Sequence, residues 1–271
     1  MLLAVEIIAA ELVLYLIVCL FVWKFQKRLM YAPHKHVVTP HMDKAPDNMR
    51  KITLTTADGL ALKAFFVPPE GTMPVILYLH GNTGIVADAA HKMIPLAQAG
   101  FGIMMPEYRG FDGNAGEPSE KGLFEDALAA RKKIEKICPD SPIVYYGMSL
   151  GTGVANALAE KSPPAAMIQE AGFSSFVDAA REIYWFLPVE KMMKDTYRSE
   201  DRIRSLNAPL LVLHGQKDKT VPVSQARRIF EAAGSTDKEI KVYPEGRHVD
   251  LFDYGASQDA LNWLSTRFPM L

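Results

Sequence analysis

Ile143-Val144-Tyr145-Tyr146-Gly147-Met148-Ser149-Leu150-Gly151 is the stretch on which the reading of this 271-residue chain turns. Four β-favouring apolar residues run directly into a G-x-S-x-G pattern, and the residues that follow, 150–161, favour a helix. This order predicts a strand, a sharp turn and a helix, with Ser149 at the apex of the turn. Glycines on either side leave room for a strained backbone and for close packing of helix on strand. The serine side chain is then held out at the C-terminal end of the strand. Such a short pattern carries weight only through its context.

Working outward, that context repeats. The stretches 52–56 and 60–67 and the apolar runs at 75–80, 101–106, 143–147, 165–169 and 209–213 read as strands, as does a more polar run at 239–243. Asp58-Gly59 between the first two signals a hairpin. Helical stretches fall at about 85–99, 119–137, 150–161, 222–233 and 255–267, with Ser224 suited to cap the fourth. Apolar runs without alternation suit strands covered on both faces. Strand–helix alternation predicts an α/β fold, a mostly parallel central sheet with helices on both faces.

In a fold of this type the partners of a turn serine come in the order Ser, acid, His. Asp218 follows the strand at 209–213 within His214-Gly215-Gln216-Lys217-Asp218. His248 follows the strand at 239–243 within Pro244-Glu245-Gly246-Arg247-His248. Both belong to the same sheet edge as Ser149, where loops converge. Asp250 is a rival acid, but a residue two positions from His248 can hardly reach round to orient its ring. The loop His80-Gly81-Asn82-Thr83-Gly84, after the strand at 75–80, is expected to supply one oxyanion donor from the backbone N–H of Asn82, with Thr83 as the fallback. The other is the N–H of Leu150, the residue after the serine. His80 reads as a structural residue at the strand end.

Composition narrows the class. Lys and Arg number 30 and Asp and Glu 31, so the chain lacks the basic excess that a nucleic-acid backbone demands. Two cysteines, Cys19 and Cys138, are too few for a disulfide framework or a zinc cluster, and a reducing compartment is the simpler reading. His34, His36 and His41 have no Cys or acid beside them to complete a ligand set, so residues 29–49 read as a solvated linker and no metal is expected.

Residues 1–28 stand apart. The run at 2–23 would measure about 33 Å as a helix, close to a bilayer core of about 30 Å. Lys24, Lys27 and Arg28 follow it, which predicts a single membrane pass with the rest of the chain in the cytoplasm. No cleavage site follows the run, which argues against a removed signal peptide. Glu6 and Glu11 reduce the margin for insertion, and Glu11 should face another helix. The alternative is a helix that assembles copies of the chain into a homo-oligomer.

With these residues in place, the chain resembles the α/β-hydrolase superfamily from about residue 50 to the C-terminus. More closely it resembles the membrane-anchored branch with fungal cell-polarity hydrolases and protein depalmitoylases. Leu79-His80-Gly81-Asn82, Tyr108-Arg109-Gly110-Phe111, Gly116-Glu117-Pro118-Ser119-Glu120 and the segments around Ser149 and Asp218 carry the likeness. Asp112, Asn114 and Arg247 depart from the usual pattern near the expected site. The resemblance implies a catalytic domain over 50–271, a short lid over about 173–207, and no cofactor. It implies a serine hydrolase acting on small-molecule or lipid esters or thioesters through Ser149, His248 and Asp218. Trp185, Phe186 and Leu187 make the lid apolar, either as a wall of the substrate pocket or as helices packed on the sheet, and so short a lid suits short to medium acyl chains. A serine peptidase of the prolyl-oligopeptidase-like type is the nearer alternative, and a non-catalytic membrane-tethered binding module the further one. Gly147 to Gly153 also spells GxxxGxG, a phosphate-cradling pattern. Such a loop should follow the first strand of its domain, and this one follows several.

Overall fold

The computed structural model describes residues 2–32 and 44–269 of the chain. Eight strands form one sheet: β1 (Arg50–Thr55), β2 (Ala61–Val67), β3 (Val75–Leu79), β4 (Gly102–Pro106), β5 (Ile143–Met148), β6 (Ala166–Glu170), β7 (Leu210–Gly215) and β8 (Lys238–Tyr243), in the spatial order β1-β2-β4-β3-β5-β6-β7-β8. The hairpin β1–β2 and the β2–β4 pair are antiparallel, and every pairing from β4 to β8 is parallel. Strands β3 to β7 carry the unbroken apolar runs because each is covered on both faces. β8, at the edge, alternates.

The helices are α1 (Leu2–Met30), α2 (Ile94–Gln98), α3 (Glu120–Ile137), α4 (Leu150–Lys161), α5 (Phe176–Ile183), α6 (Val189–Met192), α7 (Ser199–Ile203), α8 (Val223–Ala232) and α9 (Ala256–Ser265). Side chains alternate across β3. Val75, Leu77 and Leu79 join α3, α4 and α8 in one core, and Ile76 and Tyr78 join α2 and α9 in the other. The fold is therefore the two-faced α/β arrangement expected. Two details differ. The stretch at about 85–99 splits into a 3-10 helix (Val86–Met93) and α2, with Pro95 in the first turn of α2. Pro222, not Ser224, occupies the N-cap of α8, and Ser224 lies one residue inside it.

Among the described residues one helix, α1, is long and apolar enough to cross a bilayer: Ala4–Arg28 contains an 18-residue stretch with a mean hydropathy of 2.6 and no buried residue. Its last turns rest on the lid segment. Gln26 Nε2 donates to the Met192 carbonyl at 3.0 Å and its Oε1 accepts from the Lys194 N–H at 2.8 Å. Tyr31, buried just beyond α1, donates to Asp195 at 3.0 Å and lies 2.9 Å from the Tyr197 hydroxyl. His34, His36 and His41 lie outside the described residues.

Candidate active site

Ser149 sits between β5 and α4 with φ 50° and ψ −117°, a backbone region that side chains rarely enter. Its neighbours make the turn feasible. A Cβ on Gly147 would come within 2.6 Å of the Gly151 carbonyl oxygen, and one on Gly151 within 1.9 Å of that of Leu79. Only glycine fits either place, so α4 packs hard against the ends of β3 and β5. The Ser149 N–H donates to the Glu170 carbonyl at 2.8 Å, and the Ser149 carbonyl accepts from the N–H of Thr152 at 2.9 Å and from its hydroxyl at 2.7 Å.

The tertiary fold brings His248 and Asp218 to this serine. His248 Nε2 lies 2.8 Å from Ser149 Oγ, and His248 Nδ1 lies 2.7 Å from Asp218 Oδ2. Asp218 is fixed from the other side, its Oδ1 accepting from the N–H groups of Thr220 and Val221, both at 2.8 Å. Burial alone favours the neutral acid. Hydrogen bonds from His214, His248 and Val221, with the field of the adjacent imidazole, outweigh it and hold the Asp218 carboxyl well below the usual carboxylate range. An ionised Asp218 can only accept. His248 Nδ1 therefore carries the proton, and Nε2 is left to accept from the serine hydroxyl.

His214 is a supporting residue to which sequence reasoning gave no role. It is fully buried, and its Nε2 lies 2.9 Å from the Val221 carbonyl and 3.4 Å from Asp218 Oδ2. Its position at the head of the Asp218 loop was the available signal. Asp250 accepts from the Arg247 N–H at 2.6 Å and pins the His248 loop. His80 is buried, stacked on Tyr108 and 3.0 Å from Glu107, so its ring is occupied in the core.

A cavity of about 1100 Å³ opens over Ser149, with Asn82, Leu150 and His248 in its wall. Trp185, Phe186 and Leu187 do not line it, which corrects the expectation of a wall at those positions. The lid reaches the cavity earlier, through Phe173, Phe176 and Ala179, and then α5 carries the chain away toward α1. Leu187 is buried in packing, and Trp185 and Phe186 are exposed beside α1. Of the departures from the family pattern, only Arg247 borders the cavity. Asp112 pairs with Lys63 at 2.9 Å, and buried Asn114 donates to the carbonyls of Glu107 and Tyr108. Below the cavity Lys92 and Glu170 form a buried pair at 3.3 Å, and Glu170 also accepts from the Tyr146 hydroxyl at 2.6 Å.

A parallel sheet with a serine, a histidine and a buried aspartate on its C-terminal edge defines the hydrolase class of α/β proteins. The α/β hydrolase fold family model matches residues 74–177, and a second model, serine aminopeptidase S33, matches residues 174–254. Protein bem46 of Schizosaccharomyces pombe is 30% identical over 263 residues, covering 89% of this chain and 86% of its own. Lysophosphatidylserine lipase ABHD12 of Danio rerio is 29% identical over 187 residues, covering 62% of this chain and 49% of its own, so the chain spans about half of that relative. The Pyrococcus furiosus esterase Pf2001 superposes with a TM-score of 0.68 at 19% identity, covering 88% of this chain and 97% of that one. The chain belongs to the α/β-hydrolase superfamily, in its bem46-like branch.

Proposed function

We propose that this chain is a membrane-tethered serine hydrolase that cleaves carboxylic esters or thioesters with short to medium acyl chains. The observation that carries the reading is the imidazole of His248, suspended between Ser149 Oγ at 2.8 Å and Asp218 Oδ2 at 2.7 Å. In this scheme His248 Nε2 takes the hydroxyl proton as Ser149 Oγ attacks the carbonyl carbon. Asp218 holds the tautomer and stabilises the imidazolium. The N–H of Leu150, the first residue of α4, has no partner within its helix and is directed by the turn toward the developing oxyanion. The backbone N–H of Asn82 supplies the second donor. His248 returns the proton to the leaving oxygen or sulfur, then activates the water that cleaves the acyl-enzyme.

α1 is the membrane tether in this reading, and Lys24, Lys27 and Arg28 hold its catalytic-domain end at the headgroups. The lipase name of one relative and the esterase name of the structural neighbour support an acyl ester as substrate. The aminopeptidase-model match over residues 174–254 favours peptide cleavage as the second reading. Parallel assays on nitrophenyl esters and peptide anilides separate the two. Ser149→Ala is expected to abolish ester hydrolysis and labelling by a fluorophosphonate. Full labelling of that variant would end the assignment.

A further inference from the structure

The lid segment lies along α1 and meets it at two levels. At the end of α1 near the catalytic domain the contacts are polar and cationic. Gln26 bonds to Met192 and Lys194, and the Lys194 ammonium sits 4.0 Å over the Trp23 ring. Farther along α1 the lid meets it through the aromatic stretch 184–186. The Tyr15 hydroxyl donates to the Phe186 carbonyl at 3.0 Å, beside exposed Tyr184 and Trp185. Tyr15 and Gln26 are 11 residues apart, about 17 Å along a helix. Tyr15 is 13 residues from Arg28, about 20 Å. An α1 that crosses a bilayer with its basic end at the headgroups therefore carries Phe186 among the acyl chains, close to the bilayer midplane.

The tip is built for that depth. Tyr184, Trp185 and Phe186 are 45%, 81% and 49% exposed, a degree unusual for three consecutive aromatics on a water-facing surface. Lys191 and Lys194, both exposed, follow the tip and lie toward the end of α1 that carries Lys24, Lys27 and Arg28, within reach of lipid phosphates. The same lid lines the cavity over Ser149 with Phe176 and Ala179 of α5, the helix that leads directly into the tip. The same, C-terminal end of α1 also meets the cavity wall. Ala32 bridges Thr83, and Asn82 bonds to Met30 and Ala32.

We infer that Tyr184, Trp185 and Phe186 form a membrane-inserted tip, and that the cavity takes its substrate from the adjoining leaflet. The substrate class is then an amphiphilic acyl ester or thioester resident in the membrane, not a freely soluble ester. This inference rests on α1 as a membrane span and, for the substrate, on Ser149 as an acyl-transfer nucleophile.

Two measurements test it on the full chain reconstituted in phosphatidylcholine vesicles. In the first, Trp23→Phe and Trp263→Phe leave Trp185 as the sole indole. Acyl-brominated phosphatidylcholine is expected to quench its emission, while aqueous iodide leaves it unchanged. Quenching by iodide and not by bromine overturns the inference, and so does a Trp185 shielded from both by a second copy of the chain. In the second, Trp185→Ser/Phe186→Ser is compared with the unaltered chain on a decanoyl ester held in the vesicles and on a soluble butyrate ester. The vesicle rate is expected to fall about tenfold or more, the size of effect that lost burial of large apolar side chains produces, while the soluble rate stays within about twofold. Equal loss on both esters, or no loss on the vesicle ester, overturns it. A chain that hydrolyses neither ester removes the nucleophile assignment, and the fluorescence of Trp185 still decides where the tip resides.

Discussion

The side-chain amide of Asn82 clasps the end of α1: its Nδ2 donates to the Met30 carbonyl, while its Oδ1 accepts from the N–H of Ala32 at 3.3 Å. A helix that ends outside the α/β core is thereby tied to the loop whose backbone faces Ser149. Asn82→Ala keeps that backbone N–H and removes only the clasp. Loss of such bonds is worth about 1–1.5 kcal/mol, or about tenfold in rate if the whole of it falls on the transition state. The expected outcome is a fall in kcat on a soluble ester with KM little changed, measured by steady-state kinetics. A fall in thermal stability with kcat intact would mean that the clasp only anchors α1.

Ser149 occupies its positive-φ conformation at a cost of about 1–3 kcal/mol, which the surrounding turn must offset. Ser149→Gly releases that strain but adds about 0.5–1 kcal/mol of backbone entropy to be lost on folding. The variant is expected to be inactive and more stable by about 1 kcal/mol, or about 2–4 °C in a domain of this size. Calorimetry beside a fluorophosphonate assay checks both halves. An inactive variant that melts below the parent would show that the turn stores no strain.

Asp218→Asn keeps the shape of the acid but lets the wrong His248 tautomer form, and a loss of kcat on the order of 10⁴-fold is expected. The same variant gives a pH signature. The folded carboxyl is held below its ordinary value, near 3.9 in an unfolded chain, so the charged form contributes stability above about pH 4. That contribution is lost as the pH falls from there through the lowered folded value. The gap in Tm between the parent and Asp218→Asn should therefore be widest above about pH 4 and narrow on acidification. A gap constant from pH 7 into the acid range would contradict the assigned ionisation.

Arg109, in the Tyr108-Arg109-Gly110-Phe111 loop, joins two carboxylates. It reaches Asp58 at 2.7 Å and the fully buried Asp126 at 2.7 Å, and its own backbone N–H donates to Asp126 at 2.9 Å. Arg109→Met strands a buried acid and is expected to cost about 3–5 kcal/mol in urea denaturation. Removing the acid as well, in Arg109→Met/Asp126→Leu, should recover much of that loss. Equal destabilisation in the single and double variants would place the cost in packing and not in charge.

Strand positions and the side chains of the site could be read in the amino-acid order because both follow local rules. Strands covered on both faces carry continuous apolar runs, and Ser149 and Asp218 each stand just past such a run, while His248 follows the alternating edge strand β8. Parallel strands deliver all such positions to one edge of the sheet. Sequence also revealed the long apolar segment of α1, because hydropathy over 25 residues needs no tertiary context. It could not say where Trp185 and Phe186 would go. An apolar residue in a lid reads the same whether a cavity, a core or a neighbouring helix receives it. That choice was made by contacts such as the one between Tyr15 and Phe186, 171 residues apart in the chain. The hydrogen bonds that unite Ser149, His248 and Asp218 are equally a product of the folded chain, since angles and distances between separate loops exist only once the sheet has brought those loops together.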